Sequence, residues 1–259
     1  MLYLLSPAKT LDYQTPVPAP LHKRATEPLF MPRAAELIAV LKKKTPAQVA
    51  LLMSLSPTLA TLNVARYAAW QPQATPENSK PAVLAFNGGV YGGLAATCLS
   101  TAELAWAQQH VVLLSGLYGA LRPLDRLQPY RLEMGTALKT RHGKDLYAYW
   151  GDTVAEYLNA RQAEDQAPVV VNLASIEYGR VALRKALRAR VIDCRFEDWK
   201  DGQYKVISFF AKRARGLLLR YAIEQRVRKP RALEAFSAEG YTFDAAASAP
   251  EQLVFRRRQ

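Results

Sequence analysis

The sequence is poor in the residues that most enzymes and secreted folds depend on. It has two cysteines in 259 residues, Cys98 and Cys194, far apart and each in an apolar setting. That excludes a disulfide framework and reads as buried thiols in a reducing, cytoplasmic compartment. The three histidines, His22, His110 and His142, are scattered, and no His, Cys or carboxylate spacing suggests zinc, so neither a metal nor a cofactor is expected. There is no Walker loop, and no Gly-x-Gly-x-x-Gly joins a strand to a helix. Gly116-Leu117-Tyr118-Gly119 follows an apolar run but lacks the serine of a nucleophile elbow. No apolar run approaches the roughly 18–20 residues that span a bilayer, and the N-terminus has neither a basic n-region nor a long h-region. No membrane role and no signal peptide are expected.

What the chain does have is positive charge. The formal net charge is +13, the sequence pI about 9.8, and half the residues are apolar. Half apolar is a globular composition, and a surplus of this size favours a polyanionic partner, because each Lys or Arg near a phosphate releases condensed counterions. Residues 1–179 carry a net +3 and residues 180–259 a net +10, so the surplus is concentrated. Nucleic acid is the expected partner.

Apolar periodicity places the elements. Leu2–Leu5, Ala82–Phe86, Val111–Leu114 and Val169–Leu173 read as buried strands. Helical stretches are expected over 33–44, near 100–110, over 145–162 and over 211–228, with residues 14–32 a proline-punctuated loop. Val191–Phe196 and Tyr204–Phe210 read as a hairpin around Asp201-Gly202, and Leu253–Arg257 as a last strand. The alternation favours one α/β domain over 1–259, with a mixed central sheet and flanking helices; an α+β arrangement stays open. Residues 45–67 read as two short helices joined at Ser54-Leu55-Ser56, started by Thr45-Pro46 and Ser56-Pro57. They resemble a helix-hairpin-helix, in which Leu55, Ser56 and Thr58 would offer backbone N–H groups to a phosphate, with Ser54 and Ser56 where glycines are usual. An ordinary αα-hairpin packed on the core fits the same pattern.

Three further segments carry candidate chemistry. Ser6-Pro7-Ala8-Lys9 has the Ser-x-x-Lys spacing, but no Ser-Asp-Asn or Lys-Thr-Gly partner follows. A lysine just past the end of a buried strand is where α/β sheets gather ligand groups, or else it is a solvated loop residue. Leu114–Gly135 starts at a strand end and holds Tyr118, Arg122, Asp125, Arg131 and Glu133; its Arg/carboxylate pairs are either loop-stiffening contacts or phosphate clamps. From Ala211 to Arg231 there are eight basic residues and one acid. On a helix starting there, Lys212, Arg213 and Arg215 fall in the first turn, where the macrodipole disfavours cations and a bound anion would relieve the conflict.

Leu4-Leu5-Ser6-Pro7-Ala8-Lys9-Thr10-Leu11-Asp12-Tyr13 resembles the N-terminal signature of the YaaA family of peroxide-stress-response proteins. The resemblance continues through Leu114–Gly135, Gly143-Lys144-Asp145-Leu146-Tyr147, Trp150-Gly151-Asp152, Val171–Ser175, Ile207–Gly216 and Glu239-Gly240-Tyr241, across nearly the whole chain. It implies an intracellular protein that limits oxidative damage and binds double-stranded DNA through a basic cleft and a helix-hairpin-helix. One segment departs: the family's Phe-Lys-Gly-Asp-Val-Tyr stands here as Phe86-Asn87-Gly88-Gly89-Val90-Tyr91, without the Lys or the Asp.

The expected function is therefore DNA binding under peroxide stress, largely without sequence preference, protecting the DNA or assisting its repair. The expected contacts are Lys9, Leu55, Ser56, Thr58, Arg122, Arg131, Lys212, Arg213 and Arg215. One rival is an enzyme acting on a nucleobase or damaged nucleotide, with Lys9, Tyr118, Arg131 and Glu133 as its reactive group. A third is a factor that lowers free intracellular iron.

Overall fold

Four apolar residues, Leu2–Leu5, have no polar alternation, so a strand made of them needs cover on both faces. In the computed structural model, which describes residues 1–258, this strand is fully buried near the middle of a nine-stranded mixed sheet. It pairs in parallel with Val111–Ser115 on one side and Val169–Leu173 on the other, Tyr3 standing opposite both Val111 and Val171. Arg190–Lys200 and then Gln252–Arg257 extend the parallel set beyond Val169–Leu173. Antiparallel strands close the two ends, Gly119–Leu121 at one and Tyr241–Phe243 with Ser237–Ala238 at the other. The α/β expectation holds, in a single domain flanked by helices.

The connections leave a crevice. The chain runs from Leu2–Leu5 to Val111–Ser115 on one side, then crosses to Val169–Leu173 on the other. Such a reversal opens space beyond the carboxyl ends of the two strands, here Ser6 and Ser175, where α/β sheets take ligands.

The helices follow the sequence in most places. Met31–Leu41 has Pro32 in its first turn and buries Ala34, Leu37, Ile38 and Leu41. Thr101–His110 starts with a capping box between Ser100 and Glu103. The stretch expected over 145–162 is two helices, Leu146–Trp150 and Thr153–Arg161, broken at Gly151, whose φ is +51°. The hairpin helices are Pro46–Met53 and Pro57–Ala69, bent 110° apart, with Ser54 left-handed at the turn. Among the described residues no single helix is long and apolar enough to cross a membrane.

Three expectations need correction. Ala82–Ala85 is a helical turn, not a strand, because the N–H groups of Ala82 and Val83 donate to the carbonyls of Asp125 and Pro123; only Phe86–Asn87 is extended. The 14–32 loop contains a short helix, Ala19–Arg24. The strand expected over 204–210 ends at Lys205, because a helix covers Ser208–Glu224. That helix starts three residues before Ala211, so Lys212, Arg213 and Arg215 sit in its second turn, where the macrodipole has little hold on them.

Helix Ser208–Glu224 crosses the short helix Gly89–Leu94 at glycines. A Cβ on Gly216 would stand 1.9 Å from the Val90 carbonyl oxygen, and one on Gly93 2.2 Å from that of Arg213. Backbone meets backbone there, which fixes Lys212 and Arg215 against the Asn87–Tyr91 segment.

Candidate functional site

The crevice holds a cavity of about 480 Å³. Its floor is the strand ends. The backbone N–H of Ser175 donates to Ser6 Oγ at 2.8 Å, and the two hydroxyls are 3.3 Å apart. Tyr91 and Tyr130 also line it with their hydroxyls engaged: Tyr91 donates to the Ser6 carbonyl at 3.0 Å, and Tyr130 is 2.6 Å from Ser115 Oγ. These two side chains therefore offer the cavity mainly ring carbon.

The charged lining divides into a tied side and a free side. Lys9 Nζ is 2.8 Å from Glu133 Oε2, and Arg131 donates from Nε and Nη2 to Glu133 Oε1 at 3.2 and 2.9 Å. Burial alone would raise the Glu133 pKa, but hydrogen bonds and charge from Lys9 and Arg131 hold it below the usual carboxylate range. The same cavity is lined by Lys212, which is exposed, and Arg215, whose Nε is buried with no hydrogen-bond partner among the described residues. Neither is ion-paired among the described residues, whereas Arg213 between them is held by Glu239 at 2.5 Å. Burial lowers the Arg215 pKa, against the opposing pull of Cys194 and Asp193. Four cations thus meet two carboxylates, Glu133 and Glu177, and the Glu177 carboxylate already accepts from the Gly135 N–H.

The profile of the peroxide stress protein YaaA family matches residues 1–247. This chain belongs to that family. A UPF0246 protein of Leptothrix cholodnii is 64% identical over 257 residues, covering 99% of this chain and 98% of the relative. Another, from Bordetella pertussis, is 61% identical over 259 residues and the full length of both chains.

Of the residues singled out from sequence in this family member, the fold gathers Lys9, Arg131, Glu133, Lys212 and Arg215 around one cavity. It puts others elsewhere. Tyr118 is buried beneath the cavity region, accepting from Trp70 Nε1 and the Gln128 N–H, and burial pushes its hydroxyl up to about 12. Arg122 is a loop brace: its side chain and N–H both reach the buried Asp125. Arg213 is tied to Glu239, and Leu55, Ser56 and Thr58 lie at the hairpin. The Leu55 N–H donates to the Ala50 carbonyl, and Ser56 caps the second helix by accepting from the Leu59 N–H. The Thr58 N–H, in the first turn, has no intrahelical acceptor.

Sequence reasoning missed Ser175, Tyr91 and Tyr178 as lining residues. Ser175 ends an apolar strand just as Ser6 does, and that shared position is the signal that marks both. The departure at Asn87 and Gly89 also falls on the cavity wall, where a Cβ on Gly89 would meet Lys212 Cβ at 3.5 Å.

Proposed function

We propose that the chain serves in the peroxide stress response as a DNA-binding protein that holds double-stranded DNA by its phosphates, with little sequence preference. The observation that carries this reading is the cation surplus around the cavity, with Lys9 and Lys212 exposed and Lys212 without an acidic partner among the described residues. In a chain of net +13, cations at a cleft mouth are placed to replace counterions on a polyanion. Phosphate contacts fix position and carry no base information, which is why sequence preference should be weak. The Thr58 N–H at the hairpin offers a second contact. The test is duplex binding by fluorescence anisotropy for the wild type and Lys212→Glu. A loss of roughly tenfold or more in the variant supports the reading, and an unchanged affinity removes the cleft from it.

A cavity of this size favours one alternative, an enzyme acting on a nucleobase or damaged nucleotide in the same place. Its simplest form uses the Lys9 amine to form a Schiff base with the aldehyde of an abasic sugar, releasing water. The Lys9 amine is engaged by Glu133, an arrangement suited to a fixed charge rather than a free nucleophile. Borohydride trapping on abasic-site duplexes decides the matter. An adduct that disappears in Lys9→Arg installs the enzyme; no adduct, with normal duplex binding by Lys9→Arg, leaves the binder. No observation favours the iron-lowering reading over these two.

A further inference from the structure

The volume of the cavity sets it apart from the DNA reading. A volume of about 480 Å³ lies within the roughly 300–1,000 Å³ typical of pockets that enclose a small organic ligand. An intact duplex cannot enter such a space, yet its wall includes Arg215, which has no ion-pair partner among the described residues. A guanidinium on a cavity wall with no carboxylate paired to it points to an anion as its partner. Lys212 stands one turn earlier on the same helix, also free of carboxylates among the described residues. Two unpaired cations match a phosphomonoester, which carries close to two negative charges at neutral pH, better than the single charge of a phosphodiester. Tyr91, Tyr130 and Leu132 also line the cavity, apolar surface suited to a planar ring. Glu133, also in the lining, is an acceptor for the N–H groups of a base.

We propose that the cavity binds a free nucleoside monophosphate, its phosphate on Lys212 and Arg215 and its base against the tyrosines beside Glu133. Lys212 belongs both to this site and to the duplex contacts at the mouth, whereas Arg215 and the tyrosines belong to this site alone. An in-strand nucleotide shares the chemistry of base and phosphate, and the experiment separates the two sources.

The experiment is calorimetric titration of the full chain with the common nucleoside 5′-monophosphates, with the matching nucleosides and inorganic phosphate as half-ligands. At least one monophosphate should bind ten times more tightly, or better, than either of its halves. Arg215→Met should weaken that binding at least tenfold. Gly89→Asp should do the same by setting a carboxylate beside Lys212; a Cβ there makes only an ordinary contact, so this variant keeps the test open if Arg215→Met does not fold. Three results overturn the proposal: no monophosphate binding tighter than phosphate, binding that neither variant changes, or a duplex with one unpaired nucleotide that Gly89→Asp weakens while free monophosphates do not bind. Intact-duplex affinity, measured alongside, tests the DNA reading separately.

Discussion

Gly216→Ala should destabilise the protein by about 2 kcal/mol, although alanine is by about 1 kcal/mol the better helix former. The residue lies in the helix Ser208–Glu224 where it crosses Gly89–Leu94. Its new Cβ would stand 1.9 Å from the Val90 carbonyl oxygen and 2.8 Å from the Leu94 nitrogen. Both obstacles are backbone and cannot rotate aside, so the helices must separate. Overpacking of a dense interior costs about 1–3 kcal/mol, and backbone on backbone belongs at the upper end of that range. Subtracting the helical gain leaves about 2 kcal/mol, a fall in melting temperature of about 4–8 °C for a chain of this size. Gly92→Ala is the control: its Cβ would meet only Arg213 Nη1, at 3.7 Å, so it should be neutral or slightly stabilising. Urea and thermal unfolding of the two variants measure the difference. A Gly216→Ala protein as stable as the wild type would refute the glycine-crossing account of how Lys212 and Arg215 are placed.

Thr58→Pro removes the one first-turn N–H of the second hairpin helix that neither Pro57 nor the Ser56 cap accounts for, so duplex binding should weaken while the melting temperature changes little. Unchanged binding makes residues 45–67 a structural hairpin. Glu133→Gln should cost about 1 kcal/mol near neutral pH, discounted because Lys9 is largely exposed. The folded Glu133 pKa lies below its unfolded value, so this stabilisation is present above the ordinary carboxylate range and lost as pH falls through the lowered folded value. Urea midpoints of wild type and variant should therefore converge in acid; a gap that widens there contradicts the ion-pair account.

Much of this arrangement was legible in single segments. The buried strands Leu2–Leu5 and Val169–Leu173 read correctly because a continuous apolar run of that length, stopped by Ser-Pro or Ala-Ser, leaves few alternatives. The same logic failed at Ala82–Phe86, since periodicity in so short a run cannot separate strand from helical turn; the decision lay with the carbonyls of Asp125 and Pro123, forty residues on. The basic cluster read correctly as helical and wrongly as first-turn, because Ser208 extends the helix past the apolar pair Phe209-Phe210. Lys9 and Glu133 were each marked by chemistry, but only the fold brings them to 2.8 Å. Nothing local foretold that Glu239 would claim Arg213 while Arg215, two residues on, makes no ion pair among the described residues.

The salt dependence of duplex binding tests the central claim most directly. If phosphates are held by Lys9, Arg131 and Lys212, the logarithm of the affinity should fall linearly with the logarithm of salt concentration. About three contacts predict a slope of roughly −3, with duplexes of scrambled sequence superimposing. A flat dependence from low to physiological salt, or no duplex binding in the wild type at low salt, would contradict the account.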